Sequence, residues 1–130
     1  MGWMMTDLLQ FVLKDETLNS LLSSHVWVDR APDKTPLPHA VLHGVSDVPQ
    51  NLQAGRGEIR KVLVQIDVFA ESVSDAEKIA SAFQTRLHGF KGVMGSAYVG
   101  RTAAKKLSVP GYDPATRTYQ RLVEVEVGTK

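Results

Sequence analysis

At 130 residues the chain is sized for one domain around one hydrophobic core, so residues 1–130 are expected to fold as a single unit. Lys and Arg total 15 and Asp and Glu total 14, a net charge of +1. That falls short of the basic excess of a polyanion-binding domain and gives no reason to propose specific nucleic-acid binding. There are no cysteines, which excludes disulfides, thiolate metal sites and cysteine nucleophiles. No apolar run approaches the ~20 residues that span a bilayer, and the first residues lack the basic start and apolar run of a secretion signal. No membrane partner is expected, and synthesis in the cytoplasm is.

Thr6 or Asp7 can cap a first helix, with Leu8, Leu9, Phe11, Val12 and Leu13 crowding one side. Asp15 is a second cap, and Leu18, Leu21 and Leu22 continue the helical spacing, so two short helices are expected. Val26-Trp27-Val28 is a short extended segment. Three prolines between Arg30 and Pro38 forbid a helix and disfavour a central strand, so this stretch reads as a loop. His39 to Val45 reads as a strand. Asp47 to Gly57 reads as a long polar loop with a permissive tip at Gly55-Arg56-Gly57.

The segment from Ile59 to Phe90 organises the rest. Val62, Val64, Ile66 and Val68 alternate with Lys61, Leu63, Gln65, Asp67 and Phe69, the period of a strand with one well-buried face. The period then changes: Ala76, Ile79, Ala80, Phe83 and Leu87 form the apolar stripe of a helix. Ser74 and Glu77 have capping-box spacing, and Gly89 suits a left-handed C-terminal cap behind His88. Phe83 and Leu87 are expected to press onto the Val62–Val68 face. Gly92 to Gly95 is a turn-rich link. Ala97 to Lys106 reads as a strand with Gly100 as a bulge. Pro110 to Arg117 is the clearest turn, with Asp113-Pro114 suited to a type I geometry. The last strand sets Tyr119, Arg121, Val123, Val125 and Val127 against Gln120, Glu124 and Glu126. The expected fold is α+β: a mostly antiparallel sheet of four to five strands with helices packed on one face.

No stretch assembles a catalytic set. His39 and His43 lie four apart, but on a strand that separation is ~13–14 Å, too far for one ion. Neither a metal nor a cofactor is expected. Ser72, Ser74 and Ser81 lie outside any nucleophile elbow. Asp67, Glu71 and Asp75 cluster at the strand-to-helix joint, where solvated charge and helix N-terminal acids explain them more simply than acid–base chemistry. Gly55-Arg56-Gly57 lacks the Lys-Ser/Thr ending of a phosphate loop and precedes a strand. What remains distinctive is surface: two loops, a Tyr-Asp-Pro hairpin and strands with mixed outer faces, a pattern that suits an interaction protein rather than an enzyme.

Several segments carry a resemblance. They are the Leu-rich helical pair, Val26-Trp-Val-Asp-Arg-Ala-Pro, Pro36-Leu-Pro-His-Ala-Val-Leu and Val64-Gln-Ile-Asp-Val-Phe-Ala-Glu-Ser. Asp75-Ala-Glu-Lys-Ile-Ala and Tyr112-Asp-Pro-Ala-Thr-Arg-Thr-Tyr119 complete the set. In order and spacing the chain resembles the tail-completion, or tail-terminator, proteins of long-tailed bacteriophages and prophages, with His39 where an aromatic is more usual. The resemblance implies a structural virion protein of the tail or neck, assembled from the host cytoplasm, with no catalytic motif. It implies a subunit that terminates the tail tube, commonly as a six-membered ring of copies, and offers a head-joining surface. The implied partners are copies of itself, the tail tube protein and the head connector protein. Two alternatives stay open: a head–tail connector component of the neck, and a small host ligand-binding or enzymatic α+β domain. Ring closure needs two different matching surfaces. The Val48–Glu58 loop and the outer strand faces are expected to supply them, with Gly55, Arg56, Gly57, Arg60, Tyr112 and Arg117 as interface residues.

Overall fold

The computed structural model describes residues 2–32, 36–51, 58–94 and 97–129. Helix α1 (Gly2–Leu13) and helix α2 (Glu16–Leu22) come first, then strands β1 (Val26–Val28), β2 (His39–Asn51) and β3 (Glu58–Ala70). Helix α3 (Val73–Leu87) follows, then β4 (Gly92–Met94), β5 (Ala97–Asp113) and β6 (Thr118–Thr129). The strands form one sheet in the order β1-β2-β3-β6-β5-β4. Every pairing is antiparallel except β1 with β2. The α+β class and the mostly antiparallel sheet are as the sequence implies; two three-residue edge strands bring the sheet to six.

Strand alternation sets the core. Val62, Val64, Ile66 and Val68 of β3 are fully buried, as are Val123, Val125 and Val127 of β6. They share one core cluster with Ile79, Ala80, Phe83 and Leu87 of α3 and with Leu8, Val12, Leu18 and Leu22 of the first two helices. The expected roofing of β3 by Phe83 and Leu87 is found, but α3 lies more over β6 and β5 than over β3. α1 touches β1, β2 and β4, so it reaches both extremes of the strand order. The sheet therefore curls around the helices and leaves its other face without a helix. Phe11 of α1 meets Phe90, beside β4, with ring centroids 4.6 Å apart.

Local chemistry explains the element ends. Asp15 caps α2, its carboxylate accepting from the Leu18 N–H at 3.0 Å. Ser23 closes α2 in a left-handed conformation (φ 50°), its N–H donating to the Asn19 carbonyl. The N-cap of α3 is Ser72, not Ser74: the Ser72 hydroxyl accepts from the Asp75 N–H at 3.1 Å. Ser72 has extended backbone (φ −141°), as a cap requires, while Ser74 already lies inside the helix. His88 is the C-cap, and Gly89 takes the expected positive φ of 75°. There Thr102 of β5 ties the helix end to the sheet. Its hydroxyl donates to the Leu87 carbonyl and accepts from the Phe90 N–H.

Four boundaries differ from the expected ones. α1 begins at Gly2, ahead of Thr6 and Asp7, because its apolar face packs on the sheet edges and does not wait for a polar cap. β2 continues to Asn51, so the expected Asp47–Gly57 loop begins as ladder, paired from Asp47–Val62 to Asn51–Glu58. Within the expected Gly92–Gly95 link, Gly92–Met94 is a strand. β5 runs on to Asp113 because β6 supplies ladder partners up to Thr118. The bulge at Gly100 is found, as a register shift between Val99 and Arg101.

Three outcomes follow. Phe83→Ala should lower unfolding free energy by about 3–5 kcal/mol in urea titrations, as expected for a fully buried aromatic. Ser72→Ala should cost about 1 kcal/mol, whereas Ser74→Ala should cost clearly less. Glu77 is held below its ordinary pKa of 4.5, first by the hydrogen bond from Arg121 and then by that from Lys106. A depressed carboxylate stabilises the fold fully above its unfolded pKa and loses that contribution as pH falls through the folded value. The stability gap between the wild type and Glu77→Gln should thus be level at neutral pH and shrink below pH 4.5. A gap that widens on acidification would contradict the assignment.

Candidate interaction surfaces

The residues expected at an interface fall into two groups at opposite ends of the strands. Arg60 lies opposite Thr129 of β6, while Tyr112 lies opposite Tyr119 of the same strand. Ten residues of β6 separate Tyr119 from Thr129, a rise of roughly 33 Å. Gly55, Arg56 and Gly57 lie outside the described residues, in the connection between Asn51 and Glu58. Arg117 belongs to the Tyr112 end.

The Tyr112 end is locally rigid. The β5–β6 turn is held by the Asp113 carboxylate, which accepts from the Ala115 N–H at 3.0 Å. This is the local side-chain closure that suits Asp to turns. Arg117 sits in the left-handed region (φ 54°), and Thr118 donates to the Thr116 carbonyl at 3.3 Å. The turn positions Tyr112 against Tyr119, ring centroids 4.6 Å apart, with Tyr112 still 52% exposed. An exposed aromatic on a preset turn, with an arginine in the same turn, has the composition of interface anchors.

The helix-free sheet face carries a polar network. On β3, the residues that alternate with the buried valines point there. Asp67 is buried on this face, yet both carboxylate oxygens are used: His43 Nε2 lies 2.9 Å from one and Gln65 donates to the other at 2.9 Å. His39 stacks on Phe69 at 4.9 Å in the next register row. Its pKa is lowered, first by burial and further by the nearby His25, against a raising contact with the Pro36 carbonyl. Lys61–Glu126 and Lys105–Glu124 add ion pairs across β3–β6 and β5–β6. Sequence spacing named His43 and Asp67 separately; only the register Val41–Asp67 and His43–Gln65 brings them together. His39 and His43 occupy one strand, as expected. Among the described residues, no group of three or more His, Cys, Asp or Glu side chains is placed to hold a metal ion. Among the described residues, no helix is long and apolar enough to cross a membrane.

The described residues present two unlike strand ends, one of them carrying an exposed aromatic on a hydrogen-bonded turn, and a curved polar face between them. Comparison with known proteins agrees with such a building block. The family model described as "Tail completion protein gp17" matches residues 6–130. A solved chain from "Virion of native gene transfer agent (GTA) particle" superposes with a TM-score of 0.68 at 15% identity. The match covers 92% of this chain and 89% of that one. At that identity the likeness shows a shared fold. No curated protein matches the sequence. With a family match running from Thr6 to the last residue, the chain belongs to the tail completion protein gp17 family, whose role is structural, in the phage tail.

Proposed function

We propose that the protein terminates the tail tube as a ring of identical subunits, six in number, and presents the surface to which the head connector joins. The observation that carries this reading is the family match over residues 6–130. The likeness to a chain of a gene transfer agent virion is consistent with it. The two unlike strand ends support it physically. A closed ring is made by heterologous contacts, in which one surface of each copy meets a different surface of the next. The end bearing Arg60 and the connection through Gly55, Arg56 and Gly57 is one such surface. The end bearing Tyr112 and Arg117 is chemically different, which heterologous contact requires. The tail tube protein and the connector protein would then meet the remaining faces of the ring. In this reading the protein acts in the virion tail or neck and has no catalytic step.

Incubating the purified protein with tails that lack their terminator, then imaging the tube ends, tests the role. Capped tubes of fixed length that go on to join heads are expected. Bare tubes, under conditions where heads fail to join, would argue against termination. Attachment to head necks but not to tails would favour a connector component instead. Deleting Ala54–Gly57 should leave the thermal melt unchanged and abolish joining; normal joining by the deletion variant would remove that segment from the interface. Tyr112→Ala, at a half-exposed position, should likewise spare stability and weaken ring formation, measured by mass photometry on capped tails.

A further inference from the structure

Between α2 and α3, on the helical side of the molecule, lies an open groove of about 490 Å³. None of the interface residues named above lines it. Its central feature is Arg86. The guanidinium carbon sits 4.2 Å from the centroid of the Phe11 ring, and Nε lies 3.4 Å from the Asp15 carboxylate. That is a charge contact without hydrogen-bond geometry: Nε is buried and makes no hydrogen bond. The side chain as a whole is nevertheless 37% exposed and lines the groove. Stacking on Phe11 and attraction to Asp15 thus orient a guanidinium whose Nε makes no hydrogen bond and whose side chain reaches the groove.

The surroundings narrow what this guanidinium fork could take. Lys78, exposed and one helical turn-pair before Arg86, also lines the groove and has no ion-pair partner among the described residues. Two cations against the single Asp15 anion leave a local charge of about one positive unit, which one carboxylate balances. A doubly charged phosphate would place its second charge opposite Asp15. Leu21 and Ala82 add apolar wall, which a free ion does not need and a peptide side chain does. Thr85 adds a hydroxyl beside the fork.

We propose that this groove binds a carboxylate-bearing segment of a partner protein. An Asp or Glu of that segment takes the Arg86 fork, with Lys78 in support, and its apolar neighbours cover Leu21 and Ala82. Arg recognises carboxylates in a planar, two-bond geometry, and a fork already oriented loses little freedom on binding. The inference does not depend on ring formation or head joining.

Panning a library of short random peptides displayed on phage against the purified protein tests it. Enriched peptides should carry Asp or Glu next to Leu, Ile, Val or Met. The best synthetic peptide, followed by fluorescence anisotropy, should lose about tenfold or more in affinity to Arg86→Gln, and as much when its acid is changed to the amide. Arg86→Gln also removes the contacts to Phe11 and Asp15, so its melt is recorded alongside. Lys78→Gln touches neither contact, should keep the wild-type melt, and should weaken binding several-fold. Enriched peptides without an acid, or unchanged binding to Lys78→Gln and to a folded Arg86 variant, would overturn the proposal. So would inorganic phosphate alone displacing the peptide at low millimolar concentration, which would mark a small-anion site.

Discussion

The fold depends on one constraint: the sheet has a single dry face, and the valines of β3 and β6 must be covered there. Seven β3 and β6 side chains, Val62, Val64, Ile66, Val68, Val123, Val125 and Val127, are fully buried. Full burial of each contributes about 1.5–3 kcal/mol. The Ser72 cap contributes about 1 kcal/mol, and exposed ion pairs such as Lys105–Glu124 contribute about 0–1 kcal/mol. The apolar face therefore decides where α3 lies, and the polar contacts adjust its ends. Arg121 illustrates the order of effects. It sits in line with the buried valines of β6, 14% exposed, and the core forces its charge to find Glu77 on α3 at 2.6 Å.

Curling follows from the same constraint. Three short helices cannot cover a flat six-stranded sheet, but a sheet wrapped so that β1 and β4 both reach α1 leaves little of its concave side uncovered. Bulges in β2 and β5 admit the bend. The convex side then has to stand alone, and it does so with paired charge: His43 and Gln65 on Asp67, Lys61 with Glu126, Lys105 with Glu124. The exposed strand edges are interrupted as well. Pro49 in β2 and Pro110 in β5 each remove a backbone donor, and both strands carry register shifts, features that discourage uncontrolled pairing.

For a family whose members build the phage tail, this division of labour is apt. The core is closed on the concave side and contributes stability alone. The two strand ends, the convex face and the α2–α3 groove are places the core does not need, and the proposed contacts fall there. The turn at Asp113–Arg117 is preset by its own hydrogen bonds, so a partner that meets Tyr112 there has little ordering left to do.

Periodicity by itself determined the strand at 59–70, the helix that follows it, the split at Asp15 and the Asp113 turn, because each is written in side-chain spacing or in a local cap. The family was also legible, since its marks are short runs in a fixed order. Three things were decided only in the tertiary structure. The length of β2 and β5 depended on partners: Asp47–Asn51 read as loop by composition, but β3 offered it a ladder. The choice of Ser72 over Ser74 depended on where the chain could leave the sheet in extended form. The pairing of His43 with Asp67, and the meeting of Arg86 with Phe11 and Asp15, join residues far apart in the chain, which no local pattern records. Local spacing encodes which face is apolar; only closure of the whole sheet encodes which polar side chains are left facing one another.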